Sequence, residues 1–269
     1  MMNELFSLSG KTAIVTGALG LLGKQHCIAL SEAGANIVVA DINPEKSRVF
    51  ADSLVQPSIG VSCDVTSRES VSELRDIALQ SFGHIDILVN NAAVNDMVES
   101  PLAGAESSMF ENYPLELWRK VMDVNVTGMF LCSQILGSEM SGQGSGSIIN
   151  IASTYGVVAP DQSIYQLPDG TQGFYKSGVY PTSKGAVLSF TRFLAAYWGK
   201  KGVRVNALSP GGVENNQPIH FIENYSQKTP LGSMSRPTDY KGAIVFLASD
   251  ASRYMTGANL IVDGGWTAW

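Results

Sequence analysis

Tyr180 and Lys184 are the two residues whose types and spacing best suit acid–base chemistry. They are four residues apart, so on a helix they share one face and the ammonium can sit beside the phenol. Lowering a phenol pKa from about 10 to about 7 requires roughly 4 kcal/mol. One unit charge about 4 Å away supplies energy of that order at an effective dielectric constant of about 20. A lone Tyr-x-x-x-Lys is more often a surface pair, so this interpretation depends on the elements around it.

A glycine-rich loop, TGALGLLG at residues 16–23, follows an apolar run and opens a helix. Gly17 permits a tight turn, Gly20 lets the backbone approach a pyrophosphate, and Gly23 lets the helix pack on the strand. The N-terminus of the helix offers N–H groups to the phosphates. The cofactor contacts predicted here are Gly17, Leu19, Gly20, Leu21, Leu22 and Gly23.

Asp41 ends the second predicted strand, where such folds place an acid on the adenosine ribose hydroxyls. A carboxylate at that position also repels a ribose 2′-phosphate, and the glycine loop carries no Arg or Lys to neutralise one. These features favour NAD over NADP as the cofactor. The alternative is an ordinary turn acid before Asn43 and Pro44.

Short apolar runs rich in β-branched residues alternate with amphipathic segments of helical length. This α/β pattern predicts a single Rossmann-like, doubly wound parallel sheet of seven strands with helices on both faces. The predicted strands are Thr12–Val15, Asn36–Ala40, Ile59–Cys63, Ile85–Val89, Ser147–Ile151, Val203–Ala207 and Leu260–Val262. The predicted helices lie near Leu21–Ala33, Pro44–Leu54, Arg68–Phe82, Leu115–Met140, Pro181–Lys200 and Asp239–Ala248. We expect one domain over residues 1–269 because the alternation continues without a linker.

Three long loops follow the carboxyl ends of predicted strands, the edge at which open α/β sheets bind ligands. They cover residues 94–113, 160–179 and 211–238. Long loops at that edge are more often pocket walls or lids than simple connections. We therefore expect these loops to contact the substrate.

Composition excludes several classes of partner. The 269 residues carry a net charge of −6 without a Lys/Arg cluster, so we expect no nucleic acid as a partner. We expect no membrane partner, because no run has spanning length and the first residues lack the apolar stretch of a secretory signal. Cys27, Cys63 and Cys132 lie in apolar patterns typical of buried thiols, which predicts a cytoplasmic protein. Three scattered histidines lack metal-ligand spacing, so no metal site is predicted.

Further features accompany the glycine loop in a set order along the chain. They are Asp64-Val65, Asn90-Asn91-Ala92-Ala93, Asn125, Ser153, Tyr180 to Lys184, Pro210-Gly211-Gly212 and Asp263-Gly264-Gly265. As a set they resemble the short-chain dehydrogenase/reductase family over nearly the whole chain. This resemblance implies hydride transfer between a nicotinamide cofactor and a hydroxyl or carbonyl carbon of a small molecule.

The resemblance also implies roles for single residues. Tyr180 would be the acid/base, and Lys184 would lower its pKa and contact the ribose. Ser153 would polarise the carbonyl by hydrogen-bonding the developing oxyanion, and Asn125 would be the water-holding member. The further cofactor contacts that it implies are Asp64, Val65, Asn91, Ala92, Ala93, Pro210, Gly211 and Val213, together with Tyr180 and Lys184.

Two alternatives to a dehydrogenase remain open. The glycine spacing is closer to the sugar-nucleotide epimerase and dehydratase branch. Against that branch, Asp263-Gly264-Gly265 lies a few residues from the end of the sequence and leaves no room for a larger C-terminal substrate region. The other alternative is a non-catalytic NAD-binding scaffold, against which the complete set of Ser153, Tyr180 and Lys184 argues.

An insertion separates Ser153 from Tyr180 by more residues than usual for the family. Its polar residues predict contacts to a polyol or sugar, with a solvated loop as the alternative; they are Asp161, Gln162, Tyr165, Asp169, Gln172 and Lys176. With Pro210–Gln217 and the GWTAW ending, the insertion also resembles the flagellin-modification oxidoreductases linked to legionaminic-acid synthesis. That resemblance implies a phosphorylated or nucleotide-linked amino sugar as substrate.

The apolar faces of Val121–Leu136 and Gly185–Trp198 predict helix pairing between subunits. The family's four-helix interfaces would then give a homodimer or homotetramer. Ordinary core packing is the alternative explanation for these faces.

Overall fold

Seven parallel strands form one sheet in the part of the chain that a computed structural model describes, residues 2–96 and 104–269. The strands are β1 (Thr12–Thr16), β2 (Asn36–Asp41), β3 (Ser58–Ser62), β4 (Ile87–Asn90), β5 (Gly146–Ile151), β6 (Val203–Pro210) and β7 (Asn259–Val262). Their order is β3-β2-β1-β4-β5-β6-β7, and all six neighbouring pairs are parallel. The predicted Rossmann-like sheet is confirmed. The strand order reverses between β1 and β4, which is where such sheets bind their ligands.

Helices cover both faces of this sheet. Those of eight or more residues, among the described positions, are α1 (Leu21–Glu32), α2 (Pro44–Ala51), α3 (Arg68–Phe82), α4 (Leu115–Met122), α5 (Met129–Gln143), α6 (Val179–Trp198), α7 (Ile219–Gln227) and α8 (Lys241–Ala248). Shorter helical turns span Met2–Leu5, Gly104–Ser108, Phe110–Asn112, Thr154–Gly156, Gln162–Tyr165, Gly199–Lys201, Pro237–Tyr240 and Asp250–Ser252. None of the described helices combines the length and apolarity needed to cross a bilayer.

Two hydrophobic cores fill the spaces between the sheet and its helices. On β1, Ile14 enters the core built with α3, α5 and α6, whereas Ala13 and Val15 enter the core built with α1 and α8. Successive strand residues point to opposite faces, so a strand buried on both faces is apolar throughout. All three cysteines are free thiols in these cores, as the apolar patterns predicted.

Some predicted boundaries were wrong. The helix predicted at Leu115–Met140 is interrupted by a π-helical segment, Asp123–Gly128, between α4 and α5. β4 begins at Ile87, because the backbone N–H and carbonyl of Ile85 bond to the side chain of Gln143 instead of a neighbouring strand. α8 begins at Lys241, because Asp239 closes the preceding turn by accepting a hydrogen bond from the N–H of Arg236 (2.8 Å).

Candidate active site

The glycine loop between β1 and α1 is packed too closely for side chains. Gly17 has a φ of +59°, and a Cβ there would lie 2.7 Å from Cα of Ala92. A Cβ on Gly23 would lie 2.3 Å from the Gly17 carbonyl oxygen. Gly20 caps α1 without a side chain, so the N–H groups of its first turn have no side-chain cap there. The loop has the close packing and the open helix N-terminus that a pyrophosphate site needs, and its contact with a cofactor stays a prediction.

Thr16 joins the glycine loop to the segment after β4. Its hydroxyl donates to the carbonyl of Val89 (3.3 Å) and accepts from the N–H groups of Asn91 and Ala92 (both 3.1 Å). The Asn91 amide donates in turn to the carbonyls of Thr16 (3.0 Å) and Gly17 (2.9 Å). Asn91 and Ala92 are therefore held against the glycine loop, with Ala93 following directly after them, and their contact with a cofactor stays a prediction. Sequence reasoning missed Thr16, although a threonine that ends a buried strand directly before a glycine turn was a usable signal.

Two acidic residues lie at the carboxyl edge of the sheet, Asp41 as the last residue of β2 and Asp64 two residues after β3. Asp41 accepts a hydrogen bond from the N–H of Leu19 (3.0 Å), which places its carboxylate beside the glycine loop. The carboxylate of Asp64 is used by its own turn, where it accepts from the N–H (2.9 Å) and hydroxyl (2.7 Å) of Thr66. Val65 is buried, and a Cβ added to Gly128 would lie 2.6 Å from its Cγ2. The π-helical segment that ends at Gly128 thus packs directly on Val65.

Ser153, Tyr180 and Lys184 lie around the end of β5. Ser153 follows that strand by two residues, and its Oγ accepts from the N–H of Tyr155 (3.2 Å), which leaves the hydroxyl proton to donate to a substrate. Lys184 Nζ donates to the carbonyl of Ile151 (2.8 Å) and lies 5.7 Å from the centroid of the Tyr180 ring. A Cβ on Gly156 would lie 2.7 Å from the carbonyl oxygen of Lys184, so the turn after Ser153 packs on the backbone of α6. The ammonium of Lys184 therefore lies near the Tyr180 ring, and the catalytic roles of the two residues stay a prediction.

Burial governs the charge of Lys184. Its side chain is almost fully enclosed, and the loss of solvation lowers its pKa from 10.5 to about 8. At neutral pH the amine therefore remains mostly protonated, and it keeps a positive charge beside Tyr180.

Asn125 lies in the π-helical segment and is buried. Its Oδ1 accepts from the N–H of Val94 (2.8 Å), while its Nδ2 donates to the carbonyl of Val94 (3.1 Å) and to the hydroxyl of Ser183 (3.1 Å). The side chain thus ties the loop after β4 to α6. Both of its amide protons are committed to these partners, so a water-holding role for this side chain would have to use Oδ1, and that role stays a prediction. π-helical segments are frequent at functional sites.

The backbone after β6 is held by α7 and by residue 235. The N–H of Gly211 donates to the carbonyl of Val262 (2.9 Å), and that of Gly212 donates to the hydroxyl of Tyr225 (2.6 Å). Val213 pairs with Ser235 in a parallel bridge. The segment that Pro210 opens therefore has a fixed course beside the cleft, and its contact with a cofactor stays a prediction.

Polar residues of the insertion hold it together and fasten it to α7 and the residue after it. The ring of Tyr165 packs 4.6 Å from that of Phe174 and 5.4 Å from that of Phe221, as distances between centroids. Asp161 forms an ion pair with Lys228, and the resulting charge stabilisation lowers the pKa of Asp161 to about 2. Lys176 is the exception, since its Nζ lies 4.6 Å from the centroid of the Tyr180 ring. Residues 97–103 of the predicted 94–113 loop lie outside the described residues.

Comparison with known proteins identifies the family. A family model described as enoyl-(acyl carrier protein) reductase matches residues 17–267. The chain is 37% identical over 269 residues to a 2,5-dichloro-2,5-cyclohexadiene-1,4-diol dehydrogenase of Sphingobium indicum, covering 97% of this chain and 98% of the relative. It is 34% identical to a short-chain type dehydrogenase/reductase from Mycobacterium marinum of known crystal structure, with a TM-score of 0.84 and full coverage of both chains. The chain belongs to the short-chain dehydrogenase/reductase family.

A second solved structure extends the comparison to a sugar-acid dehydrogenase. A gluconate 5-dehydrogenase from Burkholderia cenocepacia, in complex with NADP and tartrate, is 29% identical with a TM-score of 0.86 and full coverage of both chains. This short-chain dehydrogenase is therefore an oxidoreductase that uses a nicotinamide cofactor and acts on a hydroxyl-bearing carbon of a small molecule.

Proposed function

We propose that this short-chain dehydrogenase transfers a hydride between NAD and a hydroxyl or carbonyl carbon of a sugar or sugar phosphate. One observation carries the assignment of the site: the buried ammonium of Lys184 lies beside the Tyr180 ring and is anchored to the end of β5. A sugar-like substrate is supported by the name of the gluconate 5-dehydrogenase, and the name of the cyclic diol dehydrogenase supports a hydroxyl-bearing carbon as the reacting position.

In this mechanism Tyr180 is the acid/base, and the ammonium of Lys184 stabilises its phenolate. For alcohol oxidation the phenolate removes the proton of the substrate hydroxyl, while Ser153 donates a hydrogen bond to the same oxygen as it becomes a carbonyl. When bound, the nicotinamide supplies the hydride chemistry. Asn125 holds α6 and the loop after β4 in register through Ser183 and Val94. In the reduction direction Tyr180 returns its proton to the developing alkoxide.

The proposed dinucleotide contacts are the glycine loop and the segments beside it. Gly17, Leu19, Gly20, Leu21, Leu22 and Gly23 would hold the pyrophosphate, and Asp64, Val65, Asn91, Ala92, Ala93, Pro210, Gly211 and Val213 would line the rest of the cleft. NAD is favoured over NADP because Asp41 presents a carboxylate next to the Leu19 amide, where a ribose 2′-phosphate would be repelled. The similar gluconate dehydrogenase was crystallised with NADP, so cofactor choice is the first property to measure.

The proposed substrate segments 94–113, 160–179 and 211–238 belong to the same proposed domain, residues 1–269, and the third, which was predicted as a loop, contains α7. The insertion and the C-terminal tryptophans support a phosphorylated or nucleotide-linked amino sugar as one candidate, in line with the flagellin-modification oxidoreductases. Trp266 stacks on Tyr225 (centroids 4.2 Å apart), and Tyr225 contacts Phe221, which packs on Tyr165 of the insertion. This aromatic cluster gives the insertion a fixed shape, which a specific sugar site requires.

We also propose a homodimer or homotetramer. Phe193 and Tyr197 of α6 are stacked (centroids 5.8 Å apart) and more than half exposed, and Phe130 of α5 is 40% exposed nearby, so the two helices present aromatic surface to solvent. A cytoplasmic location is supported by the three free, buried thiols.

The test of the proposed function is turnover of candidate substrates by the wild type and by Tyr180→Phe. Nicotinamide absorbance is followed with NAD or NADP and a panel of polyols, sugar phosphates and nucleotide sugars. Loss of the phenol is expected to lower kcat by at least about a hundredfold, the usual contribution of a general acid/base, while cofactor affinity is retained. Normal turnover by Tyr180→Phe would show that the acid/base is misassigned.

A further inference from the structure

Lys176 is a second lysine at Tyr180, contributed by the insertion instead of by α6. Its Nζ lies 4.6 Å from the centroid of the Tyr180 ring, closer than the 5.7 Å of Lys184 Nζ. The side chain is buried, with 7% of its surface exposed, and its ammonium donates a hydrogen bond to Oδ1 of Asn95 in the loop after β4. Two ammonium groups from different elements therefore approach one tyrosine.

Hydrogen bonds hold the backbone of Lys176 and the residues on either side of it. Its N–H donates to Oε1 of Gln162 (2.8 Å), and its carbonyl accepts from Nε2 of the same residue (3.1 Å). The preceding N–H, of Tyr175, donates to the hydroxyl of Ser108 (2.8 Å), and the following Ser177 donates to Asp96 (3.0 Å). These bonds fix the backbone of Lys176, while burial and the hydrogen bond to Asn95 restrict its side chain, so little further entropy is lost in keeping the ammonium near the ring.

Other titratable groups surround the same tyrosine. Lys184 lies on its own helix, and Tyr165 couples electrostatically to Tyr180 from the insertion. Behind Tyr165, Tyr155 shares a hydrogen bond between the two hydroxyls (3.1 Å). Asp96 follows β4 and contributes a buried carboxylate, which accepts hydrogen bonds from Ser177 (3.0 Å), the residue after Lys176, and from Tyr113 (2.8 Å).

We propose that Lys176 is a positioning residue that, together with Lys184, stabilises the phenolate of Tyr180 in the proposed reaction. A cation over the neutral ring interacts only with the ring quadrupole. Over the phenolate, the same cation interacts with a full negative charge that is delocalised into the ring carbons, so the charged form gains more. The insertion would then contribute to the chemistry directly, besides shaping the substrate pocket. This proposal rests on the assignment of Tyr180 as the acid/base.

The experiment compares the pH dependence of alcohol oxidation in the wild type, Lys176→Met and Lys176→Arg. An opposite charge at this range shifts a titration by one to three units, so the ascending limb of kcat/KM should move to higher pH by about one unit in Lys176→Met. Activity on the high-pH plateau should be retained, and Lys176→Arg should keep the wild-type limb because its charge remains. Lys228→Met is the matched control, since it removes a lysine that anchors the same insertion through Asp161. The ascending limb of kcat/KM of Lys228→Met should lie at the same pH as that of the wild type.

A direct titration separates this proposal from the assignment of Tyr180. The ultraviolet absorbance of tyrosinate is recorded against pH for the wild type minus Tyr180→Phe, and for Lys176→Met minus the double variant. Burial raises the pKa of five of the other tyrosines, Tyr113, Tyr155, Tyr165, Tyr225 and Tyr240, which keeps them out of the neutral range.

Each outcome of these experiments either supports or overturns the proposed role of Lys176. A shift of the Tyr180 titration to higher pH in Lys176→Met, together with an inactive Tyr180→Phe, supports the proposal. The same shift with a fully active Tyr180→Phe would show that Lys176 stabilises the phenolate but that the acid/base of the proposed function lies elsewhere, and would overturn the part of the proposal that concerns the reaction. An unchanged Tyr180 titration overturns the proposal. An unchanged pH limb with a KM increase confined to anionic substrates also overturns it, and assigns Lys176 to substrate binding instead.

Discussion

Replacing Lys184 by Met should remove a destabilising contribution to the free energy of unfolding that depends on pH. In the folded protein burial lowers the pKa of Lys184 from 10.5 to about 8, so the unfolded chain binds this proton more tightly. The cost of burying the charged amine is therefore complete below pH about 8 and disappears above pH about 10.5. The difference of about 2.5 pH units, at 1.36 kcal/mol per unit, corresponds to about 3 kcal/mol.

The assay is urea unfolding of the cofactor-free protein at several pH values across this window. The free energy of unfolding of the wild type, minus that of Lys184→Met, should rise by about 3 kcal/mol between pH about 7 and about 11. Subtraction is needed because burial raises the pKa of Cys27 and Cys132, so both proteins lose stability at high pH for another reason. The lost hydrogen bond to Ile151 adds only a constant offset.

Lys184→Arg is the matched control, because a guanidinium stays protonated throughout this range. The difference between Lys184→Arg and Lys184→Met should be independent of pH. A wild-type difference that stays flat over the window would refute the argument that Lys184 carries a desolvated charge in the fold. The expected result would mean that the charge of Lys184 lowers the stability of the fold and is kept for its effect on Tyr180.

Two further predictions concern the cofactor and the assembly. Asp41→Ala should raise the ratio of kcat/KM for NADP to that for NAD by at least about tenfold, because a like-charge contact costs more than about 1.4 kcal/mol. Asp52→Asn, which removes the same charge at an exposed ion pair with Arg48, should leave this ratio unchanged. An equal effect of Asp41→Ala and Asp52→Asn would exclude a local contact between Asp41 and the 2′-phosphate. Phe193→Glu should convert the proposed oligomer to monomers in light scattering, whereas Tyr254→Glu, at a fully exposed position, should not; a wild-type monomer would contradict the proposal.

The sequence by itself determined the sheet and the cleft. Short apolar runs rich in β-branched residues indicated all seven strands, although Ile85 was wrongly included in β4. The tight turn at Gly17 has no room for a side chain, so it requires a glycine, and the glycine pattern in the sequence predicted the turn. Tyr180 and Lys184 lie one helical turn apart, and helical periodicity alone brings their side chains together. Helices and strands repeat a fixed backbone geometry, so the spacing of residue types along the sequence predicts them.

Tertiary structure alone decided how the loops meet these elements. Lys176 and Asn95 are 81 positions apart, and their contact over Tyr180 depends on how two loops pack. The sequence suggested Tyr165 as a sugar contact, but the structure buries its ring in an aromatic cluster. The π-helical segment at Asn125 was also missed, and its last residue, Gly128, packs on Val65, which is distant along the chain. Contacts between segments that are distant along the chain leave no periodic signal, so only the folded structure reveals them.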